Sequence, residues 1–273
     1  MSPATHRLMM TTDAVGGVWV HASTLARALC SRGFAVTLVT MGPAPRSDQL
    51  ATLRDVPGLD VEITDLRLEW MDPAGDDMPR ALEQLRGIER RIRPELVHLN
   101  SYRDARADWS VPVVIGAHSC VRSWWRACRG GDPTESQWAR YAENVAAGLV
   151  AANIWIAPSA TQRNEVKALY APPTPGRVIW NGLERFPRPA PKDSFVAAAG
   201  RMWDEAKNLK LLAAIAHDLL WPVRVAGDVG TDIPPSVSNL DLLGELPRAD
   251  LLELFRAASI YVAPALYEPF GLT

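Results

Sequence analysis

Three short stretches of the sequence hold residue types that could bind an anionic ligand. The first is a glycine pair, Gly16-Gly17, which stands between a short apolar run and a helical pattern. Glycines there let backbone N–H groups approach an anion at the N-terminus of a helix, where the helix dipole favours negative charge. The spacing G-x-G-x-x-G is absent, which disfavours a nicotinamide cofactor. Taken alone, the pair fits a plain tight turn equally well.

The second stretch is AAGRMWDEAKN, in which Arg201 and Lys207 flank a turn between a predicted strand and a predicted helix. Arginine binds phosphate oxygens as a planar fork and lysine binds them as a point charge. The two cations and a helix N-terminus would therefore suit a diphosphate. The alternative is that Lys207 forms an ordinary surface ion pair with Asp204 or Glu205.

The third stretch, YEPFGL, lies almost at the end of the sequence. Glu268 follows a predicted strand, and Phe270 and Gly271 could present backbone N–H groups. A carboxylate beside N–H donors could hold sugar hydroxyls and a phosphate together. A simple turn is the alternative.

The segments that must position these residues alternate between strand and helix patterns, which favours parallel sheets built from βαβ units. Strands are predicted in HRLMMTT, AVTLVT, ELVHLN, VPVVIGAHS, NIWIAPS, GRVIWNG, SFVAAAGR, PVRVAGD, NLDLLGEL and SIYVAPA. Helices are predicted in VWVHASTLARALCSRG, PRALEQLRGIERRIRP, ESQWARYAENVAAGLVAA, ATQRNEVKALY, NLKLLAAIAHDLL and RADLLELFRAA. Ser159 is a predicted N-cap. The Pro- and Asp-containing region before PRALEQLRGIERRIRP is predicted to be irregular.

A proline-rich stretch, FPRPAPKD, separates two series of such elements. Prolines at alternate positions make a segment stiff and extended, as in an interdomain linker, although an ordinary surface loop fits as well. The predicted organisation is an N-terminal α/β domain at 1–186, a linker at 187–193 and a second, unfinished α/β domain at 194–273.

The composition argues against several classes of protein. The 273 residues carry a net charge of −2, so we expect neither nucleic acid nor an anionic membrane as the main partner. No run of eighteen apolar residues occurs, so we expect no transmembrane segment, while peripheral membrane contact stays open. The three cysteines lack metal-ligand spacing and fit the reduced thiols of a cytoplasmic protein.

Taken together, these stretches resemble the retaining glycosyltransferases of family 4, which have the GT-B fold. The resemblance extends over nearly the whole chain and includes DAVGGVWVHASTLARAL, PELVHLN, GAHS, APSATQ, VIWNGLE, GRMWDEAKNLKLL, VAGD and LGELPRADLLELFRAASIYVAPALYEPFGL, in the order of the family. It implies two Rossmann-like doubly wound domains. The first would be the acceptor-side domain, and the second, incomplete here, would bind the nucleotide sugar.

The resemblance also implies roles for individual residues. Gly16 and Gly17 would lie beside the donor diphosphate and the acceptor. Arg201 and Lys207 would clamp the donor phosphates. His118, in GAHS, would face the reacting sugar, although a satisfied structural histidine is the alternative.

Glu268 would be the first glutamate of the Glu-x7-Glu motif of the family. The second glutamate, which usually binds the nucleotide ribose, would fall beyond Thr273. We therefore expect a truncated chain, in which Phe270 and Gly271 are poorly fixed and the edge of the strand SIYVAPA is exposed. Weak or absent transfer activity is the corresponding expectation for the 273 residues alone.

Topology gives a separate reason to place two of these residues together. If the second sheet has the order 3-2-1-4, its first and fourth strands are neighbours at a topological switch point, outside which ligands bind. Arg201 and Glu268 are then expected to flank one crevice. The first domain, with Gly16, Gly17 and His118, is expected to close over it.

The predicted reaction is the transfer of a hexose from a nucleotide-diphosphate sugar to an unknown sugar, lipid or small-molecule acceptor. Breaking the anomeric C–O bond leaves negative charge on the departing diphosphate, which Arg201 and Lys207 would stabilise. No Asp-x-Asp signature occurs, so we expect the cations to replace a metal ion and no cofactor to be needed. The resemblance implies retention of the anomeric configuration.

Three other interpretations remain open at this point. A nucleotide-sugar epimerase on the same fold would need acid–base carboxylates in the cleft, where only Glu268 stands out. A non-catalytic module would bind nucleotide sugars without turnover. A purely structural fragment would have no affinity for diphosphates.

Overall fold

The computed structural model describes residues 6–183, 190–230 and 237–273. Its contacts divide the chain into two compact units, which comprise most of residues 6–183 and most of residues 190–271. Residues 187–189 of the predicted linker lie outside the described residues. The bounds 1–186, 187–193 and 194–273 therefore stay predictions.

The first unit contains a seven-stranded parallel sheet in the order β3-β2-β1-β4-β5-β6-β7. Its strands are β1 (Arg7–Asp13), β2 (Ala35–Met41), β3 (Leu59–Ile63), β4 (Leu96–Leu99), β5 (Val113–Gly116), β6 (Ile154–Ala157) and β7 (Arg177–Val178). Its helices are α1 (Gly17–Cys30), α2 (Ser47–Ala51), α3 (Met78–Ile92), α4 (Val121–Arg129), α5 (Ser136–Ala151) and α6 (Ala160–Tyr170). A 3-10 turn occupies Arg103–Arg106.

Helices cover both faces of this sheet because consecutive side chains of a strand point to opposite sides. In β1, Met9 packs in one core with Leu85 of α3 and Val145 of α5. The next residue, Met10, packs in a second core with Ala22 of α1. This is the predicted doubly wound arrangement, in which β1 lies between β2 and β4.

The second unit contains a four-stranded parallel sheet in the order β10-β9-β8-β11. Its strands are β8 (Asp193–Ala199), β9 (Val223–Ala226), β10 (Leu240–Gly244) and β11 (Ala258–Tyr261). Its helices are α7 (Leu209–Ile215) and α8 (Arg248–Ala257), with 3-10 turns at Glu205–Lys207 and Ala216–Asp218. Counted within this unit, the strand order is 3-2-1-4, which confirms the prediction.

This sheet too is covered on both faces. Ala198 packs with Leu212 of α7, whereas its neighbour Ala197 packs against Leu254 of α8. β8 therefore has the position in this sheet that β1 has in the first one.

Elements missed by the sequence analysis lie mostly in the region predicted to be irregular. β3 and α2 both occur there, and α4 follows the strand VPVVIGAHS. β3 alternates apolar and acidic residues in LDVEI, which suits a half-exposed edge strand and was overlooked. The predicted N-cap is confirmed, since Ser159 Oγ accepts a hydrogen bond of 3.1 Å from the N–H of Gln162.

No helix in the described part of the chain combines the length and the apolar character needed to cross a bilayer.

Candidate functional site

In the second unit, the loops that follow β8 and β11 lie side by side. The backbone N–H of Leu266 donates to the carbonyl of Ala206 at 2.8 Å. The side-chain amide of Asn208 donates to the carbonyl of Pro264 at 3.1 Å. The two loops are about sixty residues apart in sequence, and adjacent parallel strands bring their carboxyl ends to one edge.

Lys207 and Glu268 meet at this edge. Lys207 Nζ lies 2.5 Å from Glu268 Oε2, and the two side chains are 21% and 32% exposed. The aliphatic part of the Lys207 side chain packs against Gly200, since a Cβ added to Gly200 would lie 3.3 Å from Lys207 Cε. The ion-pair partner of Lys207 is thus Glu268, which comes from the other loop, and not Asp204 or Glu205.

Arg201 is held by residues of its own loop. Its Nη2 lies 3.3 Å from Asp204 Oδ2, and its guanidinium carbon lies 5.7 Å from the centroid of the Trp203 ring, within cation–π range. Among the described residues, Arg201 makes no hydrogen bond to Lys207 or Glu268. The structure thus joins Glu268 to one of the two predicted cations.

The path of the Arg201 loop is fixed by a close approach of two backbones. A Cβ on Gly227, whose φ is 128°, would lie 1.8 Å from the carbonyl oxygen of Gly200. Gly200 also donates its N–H to the backbone carbonyl of Ala226 at 3.1 Å, and Trp203 donates its N–H to the backbone carbonyl of Asp228 at 3.0 Å. The loop after β8 is therefore seated on the loop after β9.

Both carboxylate oxygens of Glu268 are in use. Oε2 faces Lys207, and Oε1 accepts the backbone N–H of Gly271 at 3.0 Å. The N–H of Gly271, a predicted anion donor, is directed at this carboxylate in the structure, and Phe270 is half-buried between the two residues. The turn interpretation of this stretch therefore describes its local geometry. The predicted contacts with a donor stay predictions.

In the first unit, the glycine pair ends the loop between β1 and α1. Gly16 has a φ of 74°, a left-handed conformation that favours glycine, and α1 begins at Gly17. The N–H of Val15 donates to Asp13 Oδ1 at 3.1 Å. No side chain among the described residues caps the N-terminus of α1, and its first turn has no acidic residue. The first-turn N–H groups of α1 therefore suit an anion, which would share this loop with the Asp13 carboxylate.

A polar chain connects the carboxyl ends of β1, β4 and β5. Asn100, directly after β4, donates its side-chain Nδ2 to the carbonyl of Thr11 in β1 at 2.7 Å. Its backbone N–H donates to Thr11 Oγ1 at 3.0 Å. His118, after β5, places Nε2 2.8 Å from Asn100 Oδ1.

Three histidine rings gather at this polar chain. The His21 ring, on α1, lies 4.6 Å from the His118 ring and 6.2 Å from the His98 ring, measured between centroids. Burial lowers the pKa of His21 to about 4 and, with a smaller effect of His21, the pKa of His98 to about 3. Burial first, and then His21 and His98, lower the pKa of His118 well below its usual value. The three rings are therefore neutral at physiological pH, and we call them the histidine cluster.

The sequence predicts a functional role for His118 but for neither His21 nor His98. His98 pairs in register with Met10 of β1 and Val114 of β5, and Asn100 follows it by two residues on the same side of β4. The strand order could have predicted that His98 and Asn100 lie near His118, because β1, β4 and β5 are neighbours in the sheet. His21 had no comparable signal, since its position depends on how α1 packs on the sheet.

In the described ranges, no group of three or more His, Cys, Asp or Glu side chains has an arrangement that could hold a metal ion. The expectation that catalysis needs neither metal nor cofactor stays a prediction.

Comparison with known proteins connects these features to one family. Residues 15–185, more than half of the chain, match the model of Glycosyltransferase Family 4. The alpha-maltose-1-phosphate synthase of Mycolicibacterium smegmatis (strain ATCC 700084 / mc(2)155) is 28% identical over 200 residues, which are 60% of this chain and 50% of that protein. The chain thus spans about half the length of this curated relative.

Solved glycosyltransferases share the fold at low sequence identity. A glycosyltransferase from Rickettsia africae ESF-5 is 13% identical with a TM-score of 0.59, over 96% of this chain and 73% of that one. UGT89C1 of Arabidopsis thaliana, solved with UDP-L-rhamnose, is 14% identical with a TM-score of 0.59, over 94% of this chain and 74% of that one. At such identities the likeness shows the fold alone, and the fold is GT-B.

Proposed function

The chain belongs to glycosyltransferase family 4, and from this premise we propose that it transfers a hexose from a nucleotide-diphosphate sugar to an acceptor hydroxyl, with retention of the anomeric configuration. The observation that carries the donor assignment is the meeting of Lys207 and Glu268 at the strand edge of the second unit. A cation there can receive the diphosphate, and the carboxylate beside it can accept hydrogen bonds from sugar hydroxyls.

Before a donor binds, the charged groups at this edge of the second unit are paired with one another. Lys207 is balanced by Glu268, and Arg201 by Asp204, so these four groups together carry no net charge. A diphosphate brings at least two negative charges and draws both cations towards its oxygens. Glu268 then loses its ammonium partner and becomes available to the sugar.

During transfer, negative charge grows on the leaving diphosphate as the anomeric C–O bond breaks. Fixed cations and N–H donors stabilise such charge best when they are in place before the reaction, because no reorganisation is then required. The seating of the Arg201 loop on Gly227 supplies this fixation. In the first unit, the uncapped N-terminus of α1 at Gly16 and Gly17 offers N–H donors of its own to an anion.

The histidine cluster supports a different kind of contact. A neutral ring neither attracts a diphosphate strongly nor repels a neutral ligand, so His118 suits a sugar hydroxyl. We propose no covalent nucleophile and no metal. The acceptor is proposed only as a hydroxyl-bearing sugar, lipid or small molecule, and the cytoplasm as the location.

Calorimetry with UDP, GDP and ADP tests the donor site. We expect one nucleoside diphosphate to bind, and Lys207→Met to weaken it at least tenfold, since a charge-assisted contact is worth about 1.5–3 kcal/mol. Lys192→Met is the matched control. Lys192 precedes β8 at the opposite edge of the same sheet, where its Nζ contacts the carbonyl of Arg256.

Equal affinity in the Lys207→Met and Lys192→Met variants would refute the placement of the diphosphate. Incubation with the labelled sugar nucleotide of the bound base then separates transfer from binding without turnover. The anomeric configuration of any product, read from its proton coupling constant, tests retention.

A further inference from the structure

The side-chain amide of Asn100 has one possible orientation. Its neighbour on one side is the backbone carbonyl of Thr11, at 2.7 Å, and a carbonyl oxygen only accepts hydrogen bonds. The nitrogen of the amide must therefore face Thr11. The amide oxygen is then turned towards His118, whose Nε2 lies 2.8 Å away.

This orientation determines where the proton of His118 resides. An amide oxygen cannot donate, so Nε2 must carry the hydrogen of the 2.8 Å bond. A neutral imidazole has one ring proton, which leaves Nδ1 with a free lone pair. Nδ1 has no hydrogen-bond partner among the residues that the structure describes.

The ring cannot easily exchange this bond for another. A Cβ on Gly116 would lie 2.6 Å from Asn100 Oδ1 and 2.9 Å from His118 Nε2, so both groups rest directly against the backbone of β5. On another side, the His21 ring meets the His118 ring edge to face at 4.6 Å. The Asn100 backbone is itself tied to Thr11 Oγ1.

From these contacts we infer that Asn100 is a positioning residue, which holds His118 as the Nε2–H tautomer so that Nδ1 accepts a hydrogen bond from a ligand hydroxyl. The hydroxyl half of this inference rests on the proposed function, whereas the tautomer half does not. A lone pair at Nδ1 selects an uncharged donor group and disfavours a phosphate oxygen. His118 therefore suits a hydroxyl-bearing part of a ligand and not its phosphate groups.

The tautomer can be measured directly on the 273-residue protein with ¹⁵N-labelled histidine. Long-range ¹H–¹⁵N correlation spectra distinguish protonated from unprotonated ring nitrogens, and loss of one set of signals in His118→Gln assigns the residue. At neutral pH we expect a protonated Nε2 and an unprotonated Nδ1. A protonated Nδ1 would overturn the inference.

Variants of Asn100 test its role. Asn100→Leu removes the hydrogen-bond acceptor of His118 Nε2. We expect the ¹⁵N chemical shifts of the two ring nitrogens to become more similar, because both tautomers are then populated. The backbone amide spectrum of Asn100→Leu, compared with that of the wild type, guards against a folding defect of this variant. Asn164→Leu, an exposed amide on α6, is the control and should leave the His118 signals in place. Unchanged signals in Asn100→Leu would show that Asn100 does not set the tautomer.

A titration tests the hydroxyl half. When a nucleotide sugar of the base identified by calorimetry is added, the Nδ1 resonance should shift, and the matching nucleoside diphosphate should leave it unchanged. An Nδ1 resonance that does not shift when the sugar nucleotide binds would refute the hydroxyl contact, and the tautomer result would remain valid. Absence of any nucleotide binding would instead refute the proposed function, and the tautomer experiment would still decide the role of Asn100.

Discussion

The carboxyl ends of the two parallel sheets carry opposite kinds of polar chemistry. In the first unit, neutral rings and an amide are buried or half-buried, His118 is hydrogen-bonded to Asn100, and His98 is only 5% exposed. In the second unit, charged groups form ion pairs that reach solvent. The same strand topology thus supports a site governed by proton position and a site governed by charge.

This difference predicts whether each site depends more on pH or on ionic strength. Burial disfavours the charged form of an imidazole, so the histidine cluster should respond to pH. Exposed ion pairs are screened by salt and contribute little to stability, so the second site should respond to ionic strength. Three experiments test this contrast, and they follow from the largest expected effect to the smallest.

The largest effect is expected from Gly116→Ala. The added methyl would lie 2.6 Å from Asn100 Oδ1 and 3.2 Å from His98 Nε2, so that the polar chain must shift. Overpacking of this kind costs about 1–3 kcal/mol, and separation of buried hydrogen-bonding groups adds to it. Urea unfolding should show this loss.

Gly87→Ala provides the control for that substitution. Gly87 lies within α3, and the nearest atom to its added methyl would be 3.9 Å away, at the end of Arg90. Alanine in a helix interior is about 0.5–1 kcal/mol better than glycine, so this variant should be equally or more stable. Similar losses in the two variants would contradict the tight packing of the cluster.

An intermediate effect is expected for the pH dependence of His98→Leu. Because the pKa of His98 is about 3 in the fold and near 6.5 in the unfolded chain, the unfolded state binds the proton first as the pH falls. His98 by itself therefore lowers the stability of the wild type from about pH 6.5 downwards, by about 1.4 kcal/mol per pH unit. His98→Leu should lose about 2 kcal/mol less than the wild type between pH 7.5 and pH 5.

Wild type and His98→Leu must be compared at both pH values, because another group makes the fold more stable as the pH falls. Burial raises the pKa of Glu69 to about 7, so its protonation stabilises the fold as the pH falls towards 4.5. This contribution is common to wild type and variant and cancels in the difference. His217→Leu, at an exposed histidine of the second unit, is the control. Parallel pH profiles of wild type and His98→Leu would mean that His98 is not desolvated.

The smallest effect on stability is expected from Glu268→Gln. The Lys207–Glu268 pair is partly exposed, so its loss should cost at most about 1 kcal/mol. Affinity for the bound nucleoside diphosphate should instead rise, by roughly fivefold, because Lys207 no longer has a competing carboxylate. Calorimetry at two salt concentrations measures this gain, which should shrink at high salt. Weaker diphosphate binding in Glu268→Gln would mean that Glu268 contributes to the phosphate contact.

Much of this arrangement could be predicted from periodicity and topology. The strand patterns around HRLMMTT and SFVAAAGR predicted both sheets, and the order 3-2-1-4 predicted that the loops carrying Lys207 and Glu268 would meet. What remained hidden depends on side-chain direction. Arg201 was predicted to flank one crevice with Glu268, and its contacts with Asp204 and Trp203 were not predicted, since the local partners within the loop 200–208 leave no sequence pattern.

The histidine cluster was hidden for a related reason. His21, His98 and His118 lie on three different elements, and only the packing of α1 over the strand ends brings their rings together. The short strand β3 was missed because a half-exposed strand with two acidic residues resembles a loop in composition. Sequence patterns therefore predicted the two sheets and the meeting of the two loops, whereas the Lys207–Glu268 pair and the histidine cluster required coordinates.

The near-contact between Gly227 and the carbonyl of Gly200 limits how the proposed donor site can be altered. Any side chain at Gly227 would push the neighbouring loop aside, so this position is closed to variation. Trp203 and Glu205 are exposed on the same loop and carry no such restriction. Libraries that seek a new sugar nucleotide should therefore randomise those two positions and keep both glycines unchanged.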